Sequence, residues 1–253
     1  MLISDQIFSG ERPLYESRDL RIERVTIGEG ESGLKESRRI EAVDCRFEGM
    51  YVLWECEDVV CKHCYFATSD RAPLWYGRNL SLEDCQIDAP KAFRELDNVT
   101  VKNTKISDGT EVFWFCRKGN IEDLCIENGH YPFFYAHQFQ ISNLQLQGKY
   151  AFQYTKDIEI HNAGLDTKDA FWNSENVTVY DSDLKGEYLG WYAKNLRLVR
   201  CRISGTQPLC YCENLILEDC TFAPDADRAL ERSSYTVIPQ STIDAIERTH
   251  VYV

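Results

Sequence analysis

A repeat of about twenty residues runs through most of the chain and limits the folds that it can adopt. The pattern apolar-x-apolar-x-x-small-or-apolar-x-apolar occurs eleven times, from LRIERVTI at Leu20 to LILEDCTF at Leu215. Successive copies begin roughly nineteen to twenty-one residues apart, a period typical of a solenoid. In such a fold each repeat packs only on its neighbours.

Strands rather than helices build this solenoid. Helical repeats need about 33 residues or more and place apolar residues three or four apart. Here the apolar residues alternate, and Val, Ile and Thr are frequent, as in β-strands. No turn carries the asparagine pattern of leucine-rich repeats. We therefore predict an all-β fold, a parallel β-helix of about eleven turns that is capped at both ends, with one repeat in each turn.

The domain organisation follows from the same repeat, because no linker or break in composition interrupts it. We expect one domain, residues 1–253, with an N-terminal cap at 1–12 and repeats over 13–222. The C-terminal cap, 223–253, includes a partial turn around Tyr235 and Val237. Near its end, STIDAIERTH predicts a short capping helix that begins at Ser241 or Thr242.

Composition narrows the partners and the compartment. The chain has 28 Lys and Arg against 41 Asp and Glu, a net charge of −13, which disfavours a nucleic-acid partner. It shows no signal-peptide pattern and no apolar run long enough to span a membrane, so we expect a cytoplasmic protein that does not contact membranes. Eleven cysteines without a framework spacing fit a reducing compartment.

Several segments resemble a known family. FSGERPLY at Phe8, GESGLKES at Gly30 and the repeated LWY, FWF and FWN segments are similar to an uncharacterised bacterial family of right-handed β-helices in the pectin-lyase-like superfamily. The resemblance covers nearly the whole chain and implies a right-handed, single-stranded β-helix. It implies no activity and assigns no catalytic residue, because a shared fold does not define a reaction.

Equivalent positions of a solenoid form columns along its axis, and one column holds all five tryptophans. We call it the tryptophan column. Polar members of this column, such as Lys35, Arg94 and Gln153, indicate that it faces solvent. Its members are Tyr15, Lys35, Trp54, Trp75, Arg94, Trp114, Phe134, Gln153, Trp172, Trp191 and Cys210.

The following position forms a second column, which we call the tyrosine column. Its glutamates also indicate an outward face. Its members are Glu16, Glu36, Glu55, Tyr76, Glu95, Phe115, Tyr135, Tyr154, Asn173, Tyr192 and Tyr211. The aromatic members of both columns form a band roughly 34 Å long at about 4.8 Å per turn.

Three interpretations of the band remain open. Exposed apolar surface of this size is typical of an interaction site. The rings could stack on the sugars of an oligosaccharide or polysaccharide, with Arg94, Gln153 and Glu95 as hydrogen-bonding groups. A homodimer interface is the second interpretation. In the third, the rings pack together only to stabilise the sheet. The first predicts a non-catalytic binding module that contacts its ligand through Trp54, Trp75, Arg94, Trp114, Phe134, Gln153, Trp172, Trp191, Tyr76, Tyr135, Tyr154 and Tyr192.

An enzyme is the alternative from a different class. Glycoside hydrolysis uses two carboxylates, about 5 Å apart or about 6.5 to 9.5 Å apart. Glu36 and Glu55 lie on adjacent turns, about 4.8 Å apart, and Glu55 and Glu95 lie two turns apart, about 9.6 Å. These three residues are the catalytic candidates for a polysaccharide hydrolase or lyase. Solvated glutamates beside Lys35, Arg38 and Arg39 are the simpler interpretation.

No metal or cofactor is predicted. Most cysteines fall in two inward columns with Ser, Thr and Ala, which indicates small buried side chains. Cys56, Cys61, His63 and Cys64 have the residue types of a zinc site, but the predicted side chains diverge. A bend column rich in Asp and Asn indicates a structural ladder. A cation or catalytic site around Asp44, His63 and Asp84 is its alternative.

Overall fold

The computed structural model describes residues 1–238. This part of the chain forms a right-handed parallel β-helix of about twelve turns, which confirms the predicted fold. The predicted helix at Ser241 or Thr242 lies outside the described residues. Within residues 1–238 there is no helix, and hence none that could span a membrane.

Twenty-four strands form the solenoid. The first twelve are β1 Leu2–Ser4, β2 Ile7–Glu11, β3 Arg18–Glu23, β4 Thr26–Glu31, β5 Arg38–Val43, β6 Arg46–Phe47, β7 Glu57–Lys62, β8 Tyr65–Phe66, β9 Leu74–Trp75, β10 Arg78–Glu83, β11 Gln86–Ile87 and β12 Phe93–Arg94. The others are β13 Asp97–Ile106, β14 Arg117–His130, β15 His137–Lys149, β16 Lys156–His161, β17 Gly164–Lys168, β18 Glu175–Tyr180, β19 Asp183–Lys185, β20 Arg197–Val199, β21 Arg202–Ser204, β22 Leu215–Glu218, β23 Thr221–Phe222 and β24 Tyr235–Ile238.

Each strand pairs in parallel with its equivalent one turn away. Leu20 pairs with Ile40, Ile40 with Val59, and Val59 with Leu80, as the sequence repeat predicts. Strands β1 and β2 pair with β3 and β4, so residues 2–11 add a partial turn to the solenoid. The repeat period therefore defines the register of the whole sheet.

The core is a stack of like side chains, one from each turn. A column of mostly Leu and Phe side chains points inward and is buried from Leu34 to Leu209. In its centre the phenylalanine rings stack face to face, with centroids 4.4 Å apart for Phe93 and Phe113 and 4.7 Å for Phe113 and Phe133. Stacked apolar side chains at the turn spacing supply the burial that holds successive turns together.

Left-handed backbone at four positions bends each turn. The predicted bend column is one of them, with φ of 43–54° from Arg24 to Asp219. A second contains Asn176, Asn195 and Asn214, whose exposed amides hydrogen-bond one another at 2.9 and 3.2 Å. Asn and Asp tolerate this conformation better than other residues with a side chain. Both columns therefore form structural ladders, as the sequence predicts for the bend column.

The cysteines are free, and ten of the eleven are buried. Several thiols donate hydrogen bonds to backbone carbonyls at the bends, such as Cys45 to Val43 at 3.2 Å. Thr104 and Ser182 make the equivalent bond in the same column. Burial raises the pKa of Cys56 to about 12, so this thiol stays protonated at neutral pH. Most of the cysteines therefore act as small buried hydrogen-bond donors.

Neither metal alternative gains support from side-chain placement. The Cys61 and Cys64 side chains lie in the core, whereas His63 is exposed at the bend. His63 Nδ1 lies 3.8 Å from Asp84 Oδ2, an ordinary surface contact. No group of three or more His, Cys, Asp or Glu side chains in residues 1–238 is arranged to hold a metal ion.

Candidate binding site

The tryptophan column lies half-buried along one corner of the solenoid. All five tryptophans are of intermediate exposure, and Gln153 is only 1 % exposed. The expectation that Gln153 marks a solvent-facing column was therefore wrong. Its amide Nε2 lies 3.4 Å from the Asp169 carbonyl oxygen, so a backbone partner offsets the cost of burying it.

Three tryptophans are held by the backbone of the next turn. The indole N–H groups of Trp54, Trp75 and Trp114 each donate a hydrogen bond of 2.6 Å to a carbonyl oxygen. The acceptors belong to Ala72, Lys91 and Tyr131, which occupy the same left-handed corner on three different turns. Gln153 and Asp169 repeat the same contact. These three tryptophans therefore stabilise the stacking of one turn on the next.

Stacking covers most ring faces in this column. Trp54 and Trp75 lie 5.4 Å apart with an interplanar angle of 7°. The Arg94 guanidinium lies 4.7 Å from the Trp75 ring and 4.9 Å from the Trp114 ring, between the two. A sugar stacks on a ring through its face, and these faces are occupied. Most of the predicted ladder consequently presents only ring edges to a ligand.

The tyrosine column is the exposed part of the band. Tyr76, Phe115, Tyr135 and Tyr192 are 43, 41, 37 and 45 % exposed, and they are the exposed large aromatic side chains of residues 1–238. Every member of the column from Glu16 to Tyr211 has left-handed backbone, with φ of 51–62°. These residues form a corner of the solenoid, which points their side chains outward.

A break in the tryptophan column opens a cavity of about 300 Å³, which we call the Gln153 notch. Gln153 stands where the column would otherwise hold a ring, and its side chain is buried. Phe134 precedes it by one turn and Trp172 follows by one turn, so these two rings lie about 9.6 Å apart. The notch is lined by Trp114, Tyr131, Phe134, Gln153, Tyr154 and Trp172.

The tyrosine column has a similar break at Glu95. Its neighbours one turn away are Tyr76 and Phe115, whose rings stand at 89° to Trp75 and 88° to Trp114. A cavity of about 440 Å³ opens beside Glu95 and Phe115, and Tyr76 does not line it. The cavity is lined by Glu95, Leu96, Asp97, Phe115 and Arg117.

The three candidate catalytic glutamates lie on the same corner. No two of them form a carboxylate pair that is separate from other charged or aromatic side chains. Glu36 and Glu55 share Lys35, whose Nζ lies 3.6 and 3.5 Å from their carboxylate oxygens. A hydrogen bond to Glu36 raises the pKa of Tyr15. Glu95 is two turns from Glu55, with Tyr76 between them. These contacts are typical of solvated surface carboxylates.

The notch brings together five residues of the predicted ligand-binding set, namely Trp114, Phe134, Gln153, Tyr154 and Trp172. Glu95 lines the cavity of about 440 Å³, whereas Tyr76 and Arg94 line neither cavity. Trp54, Trp75, Tyr135, Trp191 and Tyr192 line neither cavity. The sequence reasoning missed Tyr131, although Tyr51, Tyr131, Tyr150 and Tyr188 recur at one position of the repeat. That recurrence, three residues before the tryptophan column, was the signal for a third aromatic column.

The turns stack in parallel, and the residues of the aromatic corner have left-handed backbone conformation. The parallel stacking defines a protein of the right-handed parallel β-helix class. The chain belongs to the family described as a protein of unknown function, DUF3737, whose model matches residues 1–250. No curated protein matches the chain.

Solved structures with a similar fold share little sequence with this chain. PfbA, a surface adhesin of Streptococcus pneumoniae, is 8 % identical with a TM-score of 0.50, and the match covers 92 % of this chain and 83 % of that one. The A-module of the Azotobacter vinelandii mannuronan C-5 epimerase AlgE4 is 10 % identical with a TM-score of 0.43, covering 93 % and 88 %. At such identities the likeness concerns the fold.

Proposed function

We propose that this protein is a non-catalytic glycan-binding module that holds a sugar ring in the Gln153 notch. The observation that carries the proposal is the break in the tryptophan column. Elsewhere in that column, rings or the Arg94 guanidinium cover one another's faces. At Gln153 no ring of the column separates Phe134 from Trp172, and only the buried Gln153 side chain lies between them in the column.

The size and lining of the notch suit a sugar. A volume of about 300 Å³ is at the small end of ligand pockets, and five of its six lining residues are aromatic. Aromatic faces pack on the C–H groups of a pyranose, and a buried amide orients its hydroxyls.

The exposed corner beside the notch suits an extended ligand. Phe115, Tyr135 and Tyr154 stack along the axis with ring centroids 5.4 and 4.9 Å apart. A pyranose adds about 5 Å to an extended chain, close to the rise of about 4.8 Å per turn. Successive sugars along this corner would therefore contact the exposed edges of successive rings as equivalent contacts.

A glycan-array screen followed by calorimetric titration tests this proposal. Gln153→Trp is the decisive variant, because an indole at this position fills the notch and can donate to the Asp169 carbonyl, as Trp54, Trp75 and Trp114 donate to the equivalent carbonyls. We expect the wild type to bind at least one glycan of the array and Gln153→Trp to bind it at least tenfold more weakly. Tyr192→Ala, on the same corner but outside the notch, is the matched control and should bind like the wild type.

Three outcomes would overturn the proposal. The first is an array without any bound glycan, and the second is equal affinity of wild type and Gln153→Trp. The third is a light-scattering mass of two chains that Tyr192→Ala reduces to one, which would assign the corner to self-association. Glycan cleavage that Glu55→Gln abolishes would instead support the enzymatic alternative with Glu36, Glu55 and Glu95.

A further inference from the structure

We infer that the glycan held at the Gln153 notch carries a free amino group, and that the protonated amine lies in the break between Phe134 and Trp172. This inference rests on the proposed function, because it names the class of sugar that the notch selects. It comes from comparing the two positions between Trp54 and Trp191 at which a side chain without a ring interrupts the tryptophan column.

A cation of the protein itself occupies the first of these two breaks. Arg94 has Trp75 one turn before it and Trp114 one turn after it in the column. Its guanidinium lies 4.7 Å from the centroid of the Trp75 ring and 4.9 Å from that of the Trp114 ring. Both distances are within the about 6 Å at which an aromatic ring attracts a cation. The column therefore holds a cation between two rings that are two turns apart.

The second break has the same spacing but contains no cation. Phe134 and Trp172 are two turns apart, about 9.6 Å along the axis, as Trp75 and Trp114 are. Gln153 is neutral and 1 % exposed, and a cavity of about 300 Å³ opens beside it. No Lys or Arg of residues 1–238 lines this cavity. A cation supplied by a ligand can therefore take the place that the guanidinium has in the first break.

A buried carboxyl beside the notch favours a cation there. The Asp169 carbonyl oxygen lies 3.4 Å from Gln153 Nε2, and the Asp169 residue is 4 % exposed. Its carboxylate oxygen Oδ1 has no hydrogen-bond partner among residues 1–238, and the neighbouring Lys168 pairs with Glu187 at 3.1 Å instead. Burial raises the pKa of the Asp169 carboxyl, and a bound ammonium would lower it again, because an opposite charge favours the ionised form.

An amino sugar supplies the cation without burying its glycosidic linkages. A protonated amine projects from the side of the pyranose ring, so it can reach into the break while the ring stays at the mouth of the notch. The neighbouring sugars can then lie along the exposed corner, where Tyr135 and Tyr154 stack with centroids 4.9 Å apart. Carboxylated or sulfated sugars would add negative charge to a protein of net charge −13, so they are disfavoured.

Titration of two oligosaccharides that differ only at the amine tests this inference. The probes are the β-1,4-linked trimers of glucosamine and of N-acetylglucosamine, titrated calorimetrically at about pH 6, where free amines are protonated. We expect the wild type to bind the glucosamine trimer at least tenfold more tightly. Equal affinities, or tighter binding of the acetylated trimer, would overturn the inference.

Gln153→Arg separates binding at the notch from the general attraction of a cationic sugar to an acidic protein. The new guanidinium can occupy the break as that of Arg94 does, so the preference for the free amine should be lost. Gln140→Arg makes the same change of charge at an exposed position of β15 and should keep the preference. A preference that persists in Gln153→Arg contradicts the inference.

Asp169→Asn tests the site without filling the break. Asparagine tolerates the left-handed backbone of this position, which has φ of 51°. We expect Asp169→Asn to bind the glucosamine trimer at least threefold more weakly than the wild type. Asp157→Asn, at an exposed position with φ of 56°, is the matched control and should bind like the wild type. Undiminished binding by Asp169→Asn would also contradict the inference.

The outcomes distinguish this inference from the proposal on which it rests. If neutral glycans bind as tightly as those with free amines, and Gln153→Trp weakens their binding, the inference fails and the proposed function stands. An array without any bound glycan contradicts both.

Discussion

The indole N–H of Trp114 donates a hydrogen bond of 2.6 Å to the carbonyl oxygen of Tyr131, seventeen residues later and one turn further along the solenoid. Trp172 occupies the same column, yet its indole nitrogen is buried without a partner among residues 1–238. The two tryptophans therefore differ in one hydrogen bond while sharing their position in the fold.

This difference predicts unequal effects of the same substitution. Trp114→Phe removes a hydrogen bond and leaves a carbonyl without its donor, whereas Trp172→Phe removes an unpartnered N–H group. We expect Trp114→Phe to lower the free energy of unfolding by about 1–2 kcal/mol more than Trp172→Phe. Urea denaturation followed by circular dichroism measures both values. Equal losses would show that the indole hydrogen bonds contribute nothing net.

Asp70 makes the stability depend on pH. Its carboxyl is fully buried, neither oxygen has a hydrogen-bond partner, and burial raises its pKa well above the ordinary value. The Val52 backbone favours the charged form but does not outweigh burial. Above about pH 4 the folded protein therefore holds a proton that the unfolded chain has lost. This contribution to the free energy of unfolding falls as pH rises toward the folded-state pKa.

Asp70→Asn should remove that pH dependence. The amide keeps the shape of the neutral acid and carries no charge, so we expect the variant to be more stable than the wild type at pH 7 by about 1–3 kcal/mol. The advantage should shrink as the pH is lowered toward 4. Urea denaturation at several pH values checks this, with Asp225→Asn at an exposed position as control. A constant difference between wild type and Asp70→Asn would disprove the explanation.

The hydrogen bonding of the buried cysteines predicts that the same substitution changes stability differently at two core positions. The Cys45 thiol donates to the Val43 carbonyl, as the Thr104 hydroxyl does to Lys102 in the same column. No backbone carbonyl of residues 1–238 accepts a hydrogen bond from Cys61. We expect Cys45→Thr to change the free energy of unfolding by less than about 1 kcal/mol, and Cys61→Thr to lower it by about 1–3 kcal/mol. Thermal denaturation would count against this if both variants lost the same stability.

The left-handed backbone at the corners predicts which substitutions at an exposed corner position lower the free energy of unfolding. Asn195 has φ of 53° and continues a ladder of exposed amides. A β-branched side chain is strained in this conformation, whereas glycine is not. Asn195→Val should therefore lower the free energy of unfolding by about 1–2 kcal/mol relative to Asn195→Gly. If chemical denaturation ranks Val at or above Gly, strain at the corner does not limit stability.

Most of the fold could be predicted from the sequence, because every turn of a solenoid repeats the same local pattern of residues. Alternation and period predicted the strands and the register of Leu20 on Ile40. Burial within the aromatic band was not predictable in the same way. Lys35 and Gln153 indicate exposure by residue type, but burial depends on whether a carbonyl of the next turn lies within reach, as Asp169 does for Gln153.

The candidate site required ring orientations, which a sequence does not carry. A column of tryptophans in the sequence indicates an exposed row of ring faces. In the structure the Trp54 and Trp75 rings lie at an interplanar angle of 7°, so they stack and cover each other's faces. The sequence did show where the two aromatic columns are interrupted. Gln153 and Glu95 each have aromatic neighbours in their column, and each lines a cavity in the structure.

Nuclear magnetic resonance of the five indole N–H groups tests the central claim most directly. Each tryptophan gives one side-chain signal, which Trp→Phe variants assign. On titration with the shortest oligosaccharide that the wild type binds, the signals of Trp114 and Trp172 should shift, because both rings line the notch. The signals of Trp54 and Trp191 should stay unchanged. Shifts at Trp54 or Trp191 with Trp114 and Trp172 unmoved would contradict binding at the Gln153 notch.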